Sequence, residues 1–425
     1  MSIEESKKIY CIGIGGVGLS ALAQLFIDRG ISVSGSDRSA SPVTKMLEDK
    51  GVEVHIDEGV HLEKDHDICV FSIAVDENHP DRVRARELGI KEMTYPEALG
   101  EISKEYYTIA VSGTHGKTTT TGMIADILID GGLEPTVVVG SMLKKYNSNY
   151  IKGTGDILVV EACEYRKSFL NLHPDMIVIT NIDADHLDFY KDLDDIKSAF
   201  KEFVGKLDQK GTVVCNFCDN DVASVVDETF ANIEDYSLIS LTKNPGVPGE
   251  HNIQNAKAAA AVAKLLSIPD NVVGDSLCQF ESTWRRLENK GKMESGTTVI
   301  DDYAHHPTEV RSTLSALKNT VGDNKLVVVF QPHLYSRTKI FYKEFADALS
   351  IADKVILLPI YAAREKEDNE ISSEMIAELI ASEKIELIES LEEGIEKVKS
   401  LDLKENDIVV TMGAGDVYTI SDKLV

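Results

Sequence analysis

The sequence predicts an α/β protein of three domains, each built on parallel strands. Three observations carry that expectation. Gly13-Ile-Gly15-Gly16-Val17-Gly18 stands between an apolar strand and a helix, and Gly113-Thr114-His115-Gly116-Lys117-Thr118 stands between a second such pair. The last third then repeats an apolar run followed by a polar loop. A chain of 425 residues is long enough for several well-buried cores.

The first unit opens with the strand Lys7-Lys-Ile-Tyr-Cys-Ile-Gly13, followed by the glycine turn, a helix from about Leu19 to Arg29 and a strand, Ile31 to Asp37. Gly13 and Gly15 permit a tight turn with close backbone approach to a phosphate, and Gly18 lets helix and strand pack. Asp37 ends the second strand, where a carboxylate usually meets a ribose. The turn suits either a dinucleotide or the diphosphate of another nucleotide. Val52–His55 and Asp67–Ile73 extend this Rossmann-like sheet, and the domain is expected to cover residues 1–104.

In the middle domain, 105–290, Tyr107–Val111 reads as a buried strand and Gly122–Asp130 as the helix beyond the loop. Strand, glycine turn, lysine, hydroxyl and helix make a phosphate cradle: backbone N–H groups face the phosphates, Lys117 neutralises them and Thr118 ligates Mg2+. Val111 stands where the usual spacing has a glycine, so the P-loop is a shortened one. Asp156–Glu161 and Met176–Thr180 read as further strands of the parallel sheet, with Glu161 and His186 at the edge where open sheets bind ligands. Both are expected to face Thr118 around Mg2+. Asn255 precedes an Ala-rich helix, which it would cap while offering its amide to a base or a water. Arg285-Arg286 is either a surface charge or a phosphate clamp.

The C-terminal Rossmann-like domain, 291–425, carries the strand Thr297–Asp301 and its polar cluster, Asp302 to Pro307. Similar strand-and-loop units follow at Lys325–Lys339, Val355–Pro359 and Ile408–Asp416. Each loop falls at a strand's C-terminal end, so together they line one cleft. Arg364 to Glu374 is charged and reads as a mobile surface loop.

Composition narrows the partners. A formal net charge of −27 argues against a nucleic acid, and local cations must overcome it wherever a triphosphate binds. With no long apolar run and no signal-like start, a soluble cytoplasmic protein without membrane contact is expected. Cys215-Asn-Phe-Cys218 lacks a second pair, so reduced thiols are expected rather than a metal site.

The two glycine turns are followed in order by Glu161-Ala-Cys-Glu164 with Ser168-Phe-Leu170, Thr180-Asn-Ile-Asp-Ala-Asp-His186 and His251-Asn-Ile-Gln-Asn255. Asp301-Asp-Tyr-Ala-His-His-Pro307, Phe330-Gln-Pro-His333 and Gly413-Ala-Gly415 complete the series. This ordered set, spanning essentially the whole chain, resembles the Mur ligases, the ATP-dependent amino-acid-adding enzymes of peptidoglycan synthesis, and above all their alanine-adding branch. The resemblance implies ATP and Mg2+ as cofactors and UDP-N-acetylmuramate and L-alanine as substrates. Gly13, Gly15, Gly16, Val17, Gly18, Asp37 and Ser72 would hold the UDP-sugar. Gly113, Thr114, His115, Gly116, Lys117, Thr118 and Thr119 would hold the triphosphate, with His251, Asn252, Asn255 and Asp302 at the rest of ATP. Thr118, Glu161 and His186 would surround the metal, and Arg286 the phosphates. Tyr303, His305 and Arg337 would line the amino-acid pocket, His305 standing as the guess for the base that takes the amine's proton.

Against the family pattern, Cys163 replaces an acidic residue, Tyr165-Arg166 a Ser-Asp pair and Leu334 an arginine; Phe200, or Lys201 beside it, aligns with a carbamylated lysine of other members. The implied reaction forms an acyl phosphate from the lactyl carboxylate and transfers the acyl group to L-alanine. Its rivals are addition of a ready-made murein peptide, an NAD-dependent dehydrogenase built on the first glycine turn, and a nucleotide-switched binding module without chemistry.

Overall fold

The computed structural model describes residues 2–363 and 365–425 and contains three sheets. The first is built by β1 (Lys8–Ile12), α1 (Val17–Asp28), β2 (Ser32–Asp37), α2 (Pro42–Asp49), β3 (Glu53–Ile56), β4 (Ile68–Phe71), α3 (Pro80–Leu88), β5 (Lys91–Thr94) and α4 (Tyr95–Ser103). Its order is β3-β2-β1-β4-β5, all parallel. The order reverses beside β1, which sets the glycine turn at the switch point where open sheets take ligands.

The second sheet uses β6 (Tyr107–Ser112), α5 (Lys117–Asp130), β7 (Thr136–Leu143), β8 (Ser148–Ile151), β9 (Ile157–Glu161) and β10 (Met176–Ile179). It is completed by α6 (Leu193–Val204), β11 (Thr212–Cys215), α7 (Asn220–Val226), β12 (Asn232–Asp235), α8 (Glu250–Leu265) and α9 (Asp270–Gln279). Seven strands run β12-β11-β10-β6-β9-β7-β8, parallel except for β8, which returns antiparallel beside β7. Met176–Ile179 is buried throughout, as a strand covered on both faces must be.

The third sheet contains β13 (Glu288–Lys292), β14 (Thr298–Asp302), α10 (Pro307–Val321), β15 (Leu326–Phe330), α11 (Tyr335–Leu349) and β16 (Lys354–Leu357). After these come α12 (Ser373–Ala377), β17 (Ile385–Leu387), α13 (Leu391–Ser400), β18 (Ile408–Met412) and α14 (Tyr418–Leu424). The order is β13-β14-β18-β15-β16-β17, with β13 antiparallel, and residue 291 lies inside that strand. Alternate residues of β15 feed two cores: Leu326, Val328 and Phe330 pack with Leu314 and Phe345, and Val327 and Val329 with Val409 and Ile420.

By contacts the chain divides into two compact units: residues 1–184, 191–244 and 254–280, and residues 185–190, 245–253 and 281–425. The first unit holds both glycine turns. A buried amide cluster joins its two sheets: Asn149 on β8 donates to Val17 O and to Ser20 Oγ at 2.9 Å, and accepts from Gln24 Nε2 at 2.9 Å.

Three expectations need correction. Asn255 does not precede its helix: α8 starts at Glu250, so His251, Asn252 and Asn255 lie within it, and Asn252 Nδ2 reaches back to Pro248 O at 2.7 Å. Arg285 is not a surface charge, being 2% exposed and bound to Asp301. The charged segment does not run as a loop to Glu374, because α12 begins at Ser373; Arg364 lies outside the described residues. Cys215 is buried and Cys218 exposed, both free thiols. Among the described residues no helix is long and apolar enough to cross a membrane.

Candidate active site

The shortened loop leaves β6 at Ser112 and enters α5 at Lys117. Gly113 and Gly116 adopt φ of +132° and +83°, conformations that a side chain would oppose. The loop is held from the end of β10. Thr114 N donates to Asn181 O at 3.0 Å, His115 N to Asn181 Oδ1 at 2.9 Å, and Thr180 Oγ1 to His115 O at 2.6 Å. His115 Nε2 also lies 3.2 Å from Asp183. Since β10 pairs with β6, this fixation follows from strand order. The first N–H groups of α5 lack helical partners, which suits that end of the helix to an anion.

Lys117 Nζ donates to Gly113 O at 2.6 Å and Thr114 O at 3.0 Å, and pairs with Glu164 Oε2 at 2.9 Å. Burial acts to lower the lysine's pKa, but the Glu164 carboxylate outweighs it and holds the ammonium above the usual range. Thr118 Oγ1 donates to Glu161 Oε2 at 3.0 Å, and Gly140 N donates to the same oxygen at 2.9 Å. A hydroxyl and a carboxylate so close are hard oxygen donors that fit Mg2+. Of the three expected metal residues the structure brings these two together; His186, at φ +53°, falls in the second compact unit. Within the first unit, Asn255 packs against Gly116, where an added Cβ would overlap its amide.

At the first turn, Gly13 (φ +78°) donates to Ser36 O at 2.8 Å and lies beside Ser72. Asp37 ends β2 as the spacing implied, and its Oδ2 accepts from Gly15 N at 2.9 Å. Gly16 N bonds to Gly13 O at 3.0 Å and Val17 begins α1. Gly18 faces the Tyr95 ring rather than a strand. Phe200 sits in an aromatic cluster, edge-on to Phe169, and Lys201 is exposed.

The second unit gathers another polar group. Arg337 Nη2 bonds to Asp185 Oδ1 at 2.7 Å, and Nη1 lies 3.4 Å from His333 Nδ1. Burial works to raise the Asp185 pKa, but Arg337 holds it well below the usual carboxylate range. His305 Nδ1 lies 3.0 Å from Tyr303 O, and burial drops its pKa to about 3. Such a ring accepts a hydrogen bond at neutral pH but holds a proton poorly, which weakens its standing as the amine's base. Arg286 lies 3.4 Å from Glu309 and over the Tyr303 ring at 5.1 Å. Asp302 accepts from Leu287 N at 2.7 Å and Ala304 N at 2.8 Å, and burial pushes its pKa up to about 6. His251 is lowered by burial.

Glu164 and Asp185 were missed as partners of Lys117 and Arg337. Both lie inside motifs, but spacing gives no sign of which cation each meets. Arg285 was half-read. It bonds to Asp301 at 2.7 Å, Gly415 O at 2.9 Å and Gly413 O at 2.6 Å, tying the last loop to β14.

Three family models match successive parts of the chain: the Mur ligase family catalytic domain at 8–107, the Mur ligase middle domain at 111–244 and the Mur ligase glutamate ligase domain at 285–415. The UDP-N-acetylmuramate–L-alanine ligase of Clostridium acetobutylicum is 40% identical, over 98% of this chain and 97% of its own. That of Clostridium novyi is 39% identical, over 99% and 97%. Among solved structures, the UDP-N-acetylmuramate-alanine ligase of Thermotoga maritima superposes with a TM-score of 0.82 at 30% identity, covering 98% of each chain. A murein peptide ligase from Psychrobacter arcticus gives 0.71 at 23% identity, again over 98% of each, a likeness of fold alone.

Proposed function

The chain belongs to the Mur ligase family, and from that premise we propose that it joins L-alanine to the lactyl carboxylate of UDP-N-acetylmuramate while ATP is cleaved to ADP and phosphate. The observation that carries the ATP half is the cradle itself: Lys117 at the head of α5 with Thr118 and Glu161 3.0 Å apart beside it. The substrate half rests on full-length similarity to ligases of that name. Family membership also removes the dehydrogenase alternative, and the first glycine turn is proposed to serve a UDP-sugar. The three domains are taken as 1–104, 105–290 and 291–425, and the reaction as cytoplasmic, where its nucleotide substrates are made.

In the proposed chemistry a carboxylate oxygen attacks the γ-phosphorus, the bond to the bridging oxygen breaks, and ADP leaves. The amine of alanine then attacks the acyl phosphate carbon, phosphate departs, and the ammonium proton passes to solvent or phosphate. Activation is required because a carboxylate oxygen is a poor leaving group and phosphate a good one. Lys117, held charged, and the N–H groups of α5 stabilise the transferring phosphoryl group. Thr118 and Glu161 would hold Mg2+, which supplies charge neutralisation at the phosphates. Tyr303, Arg337 and Arg286 are proposed to receive the amino acid and the acyl phosphate.

Phosphate release, measured while omitting each substrate in turn, tests the reading. Release must need UDP-N-acetylmuramate, ATP and L-alanine together. Equal turnover with a murein tripeptide in place of alanine would assign the protein to the peptide-adding branch instead.

A further inference from the structure

Tyr95 stands where β5 gives way to α4, at the carboxyl edge of the first sheet. Its backbone is fixed by a capping box: Glu97 Oε2 accepts from Thr94 N at 2.7 Å and Thr94 Oγ1 accepts from Glu97 N at 3.3 Å, with Pro96 in the first turn. The ring lies across Gly18, the last glycine of the first turn. A methyl group added at Gly18 would sit 2.8 Å from Tyr95 Cζ and 3.1 Å from its Oη. Gly18 is therefore small because Tyr95 occupies the space beside it.

The hydroxyl is left without a partner. Among the described residues Tyr95 Oη makes no hydrogen bond and is not sealed from solvent, so it is open to an acceptor on a ligand. Glu161 and Cys163, at the end of β9, are near enough to act on it electrostatically. The phenol thus packs on the first glycine turn within the electrostatic reach of the carboxylate paired with Thr118.

We infer that Tyr95 is a specificity residue: its hydroxyl donates a hydrogen bond to the sugar-linked carboxylate that is to be activated, aiming it from the glycine turn toward the phosphate loop. This rests on the UDP-sugar reading of that turn. A phenol keeps its proton at neutral pH, so the group is a hydrogen-bond donor there. A neutral donor beside a fixed carboxylate can receive a second carboxylate without adding to the repulsion, as a third anionic group could not. The nucleotide's diphosphate is a poorer match, because the first two glycines already lie beside Ser72 and Asp37, away from the phenol.

The test uses the full-length protein and two nucleotides that differ only in the lactyl group, UDP-N-acetylmuramate and UDP-N-acetylglucosamine. Tyr95→Phe keeps the ring against Gly18 and removes only the hydroxyl. It is expected to raise KM for UDP-N-acetylmuramate about tenfold, the loss of one hydrogen bond to a charged group, with KM for ATP and L-alanine and the melting temperature unchanged. In equilibrium binding, wild-type protein is expected to prefer the lactyl-bearing nucleotide and Y95F to lose most of that preference. An unaltered preference in Y95F, with both nucleotides bound, overturns the assignment alone. Wild-type protein that binds neither nucleotide overturns the UDP-sugar reading and the assignment together.

Discussion

Lys117, where the shortened glycine loop enters α5, and Glu164, just beyond β9, meet as a buried ion pair, Nζ to Oε2 at 2.9 Å. Glu164 is 2% exposed, so its charge has no solvent to fall back on. Removing the lysine alone leaves that charge uncompensated, and Lys117→Met is expected to cost about 3 kcal/mol of stability along with all alanine-dependent ADP release. Adding Glu164→Gln should recover most of the stability and none of the activity. Urea denaturation and a coupled ADP assay on both variants check this; activity retained in Lys117→Met would falsify the role of the lysine.

Thr118 and Glu161 are expected to act through the metal. Thr118→Val and Glu161→Gln should each raise the Mg2+ concentration for half-maximal activity about tenfold or more, in the way loss of a direct ligand does. Thr118→Ser, which keeps the oxygen, should stay near wild type. A magnesium titration that gives the same midpoint for all four proteins rules the pair out as ligands.

His305 gives the fold a pH dependence of known sign. Its folded pKa of about 3 lies below the unfolded value near 6.5, so the unfolded chain binds the proton first as pH falls. Its contribution to stability is complete above about pH 6.5 and drains away toward pH 3, by up to about 1.4 kcal/mol for each pH unit. His305→Asn should therefore flatten the loss of stability between pH 6.5 and 5. Parallel slopes for variant and wild type in pH-dependent urea melts would contradict the burial argument.

Asn149 joins the two sheets of the first compact unit through the end of α1 beside the nucleotide turn. Asn149→Leu strips Val17 O, Ser20 and Gln24 of their partner, and about 2 kcal/mol of stability should go with it. KM for UDP-N-acetylmuramate should rise more than KM for alanine, because the glycine turn is continuous with α1. Equal effects on the two constants would reduce Asn149 to a purely structural contact.

Much of the site was legible because its signals are local. Gly113 and Gly116 have positive φ values that favour glycine, and Lys117 follows within the same five residues. The apolar runs at 176–179 and 326–330 announce strands covered on both faces. The Asn255 cap fails for a reason equally local: the alanine run signals a helix so strongly that the polar stretch His251 to Asn255, already helical, looks like the approach to it.

By itself the sequence determined the three strand-and-helix domains, the two glycine turns and the residue types at each sheet edge, since dihedral preference and apolar periodicity act over a few neighbouring residues. Only tertiary structure decided which charges meet. Lys117 finds Glu164 across 47 positions and Arg337 finds Asp185 across 152. Tyr95 reaches Gly18 because α4 returns to the edge that α1 leaves. Strand order sets those distances, and with them the loss of water that makes a carboxylate a counter-ion to one cation rather than another.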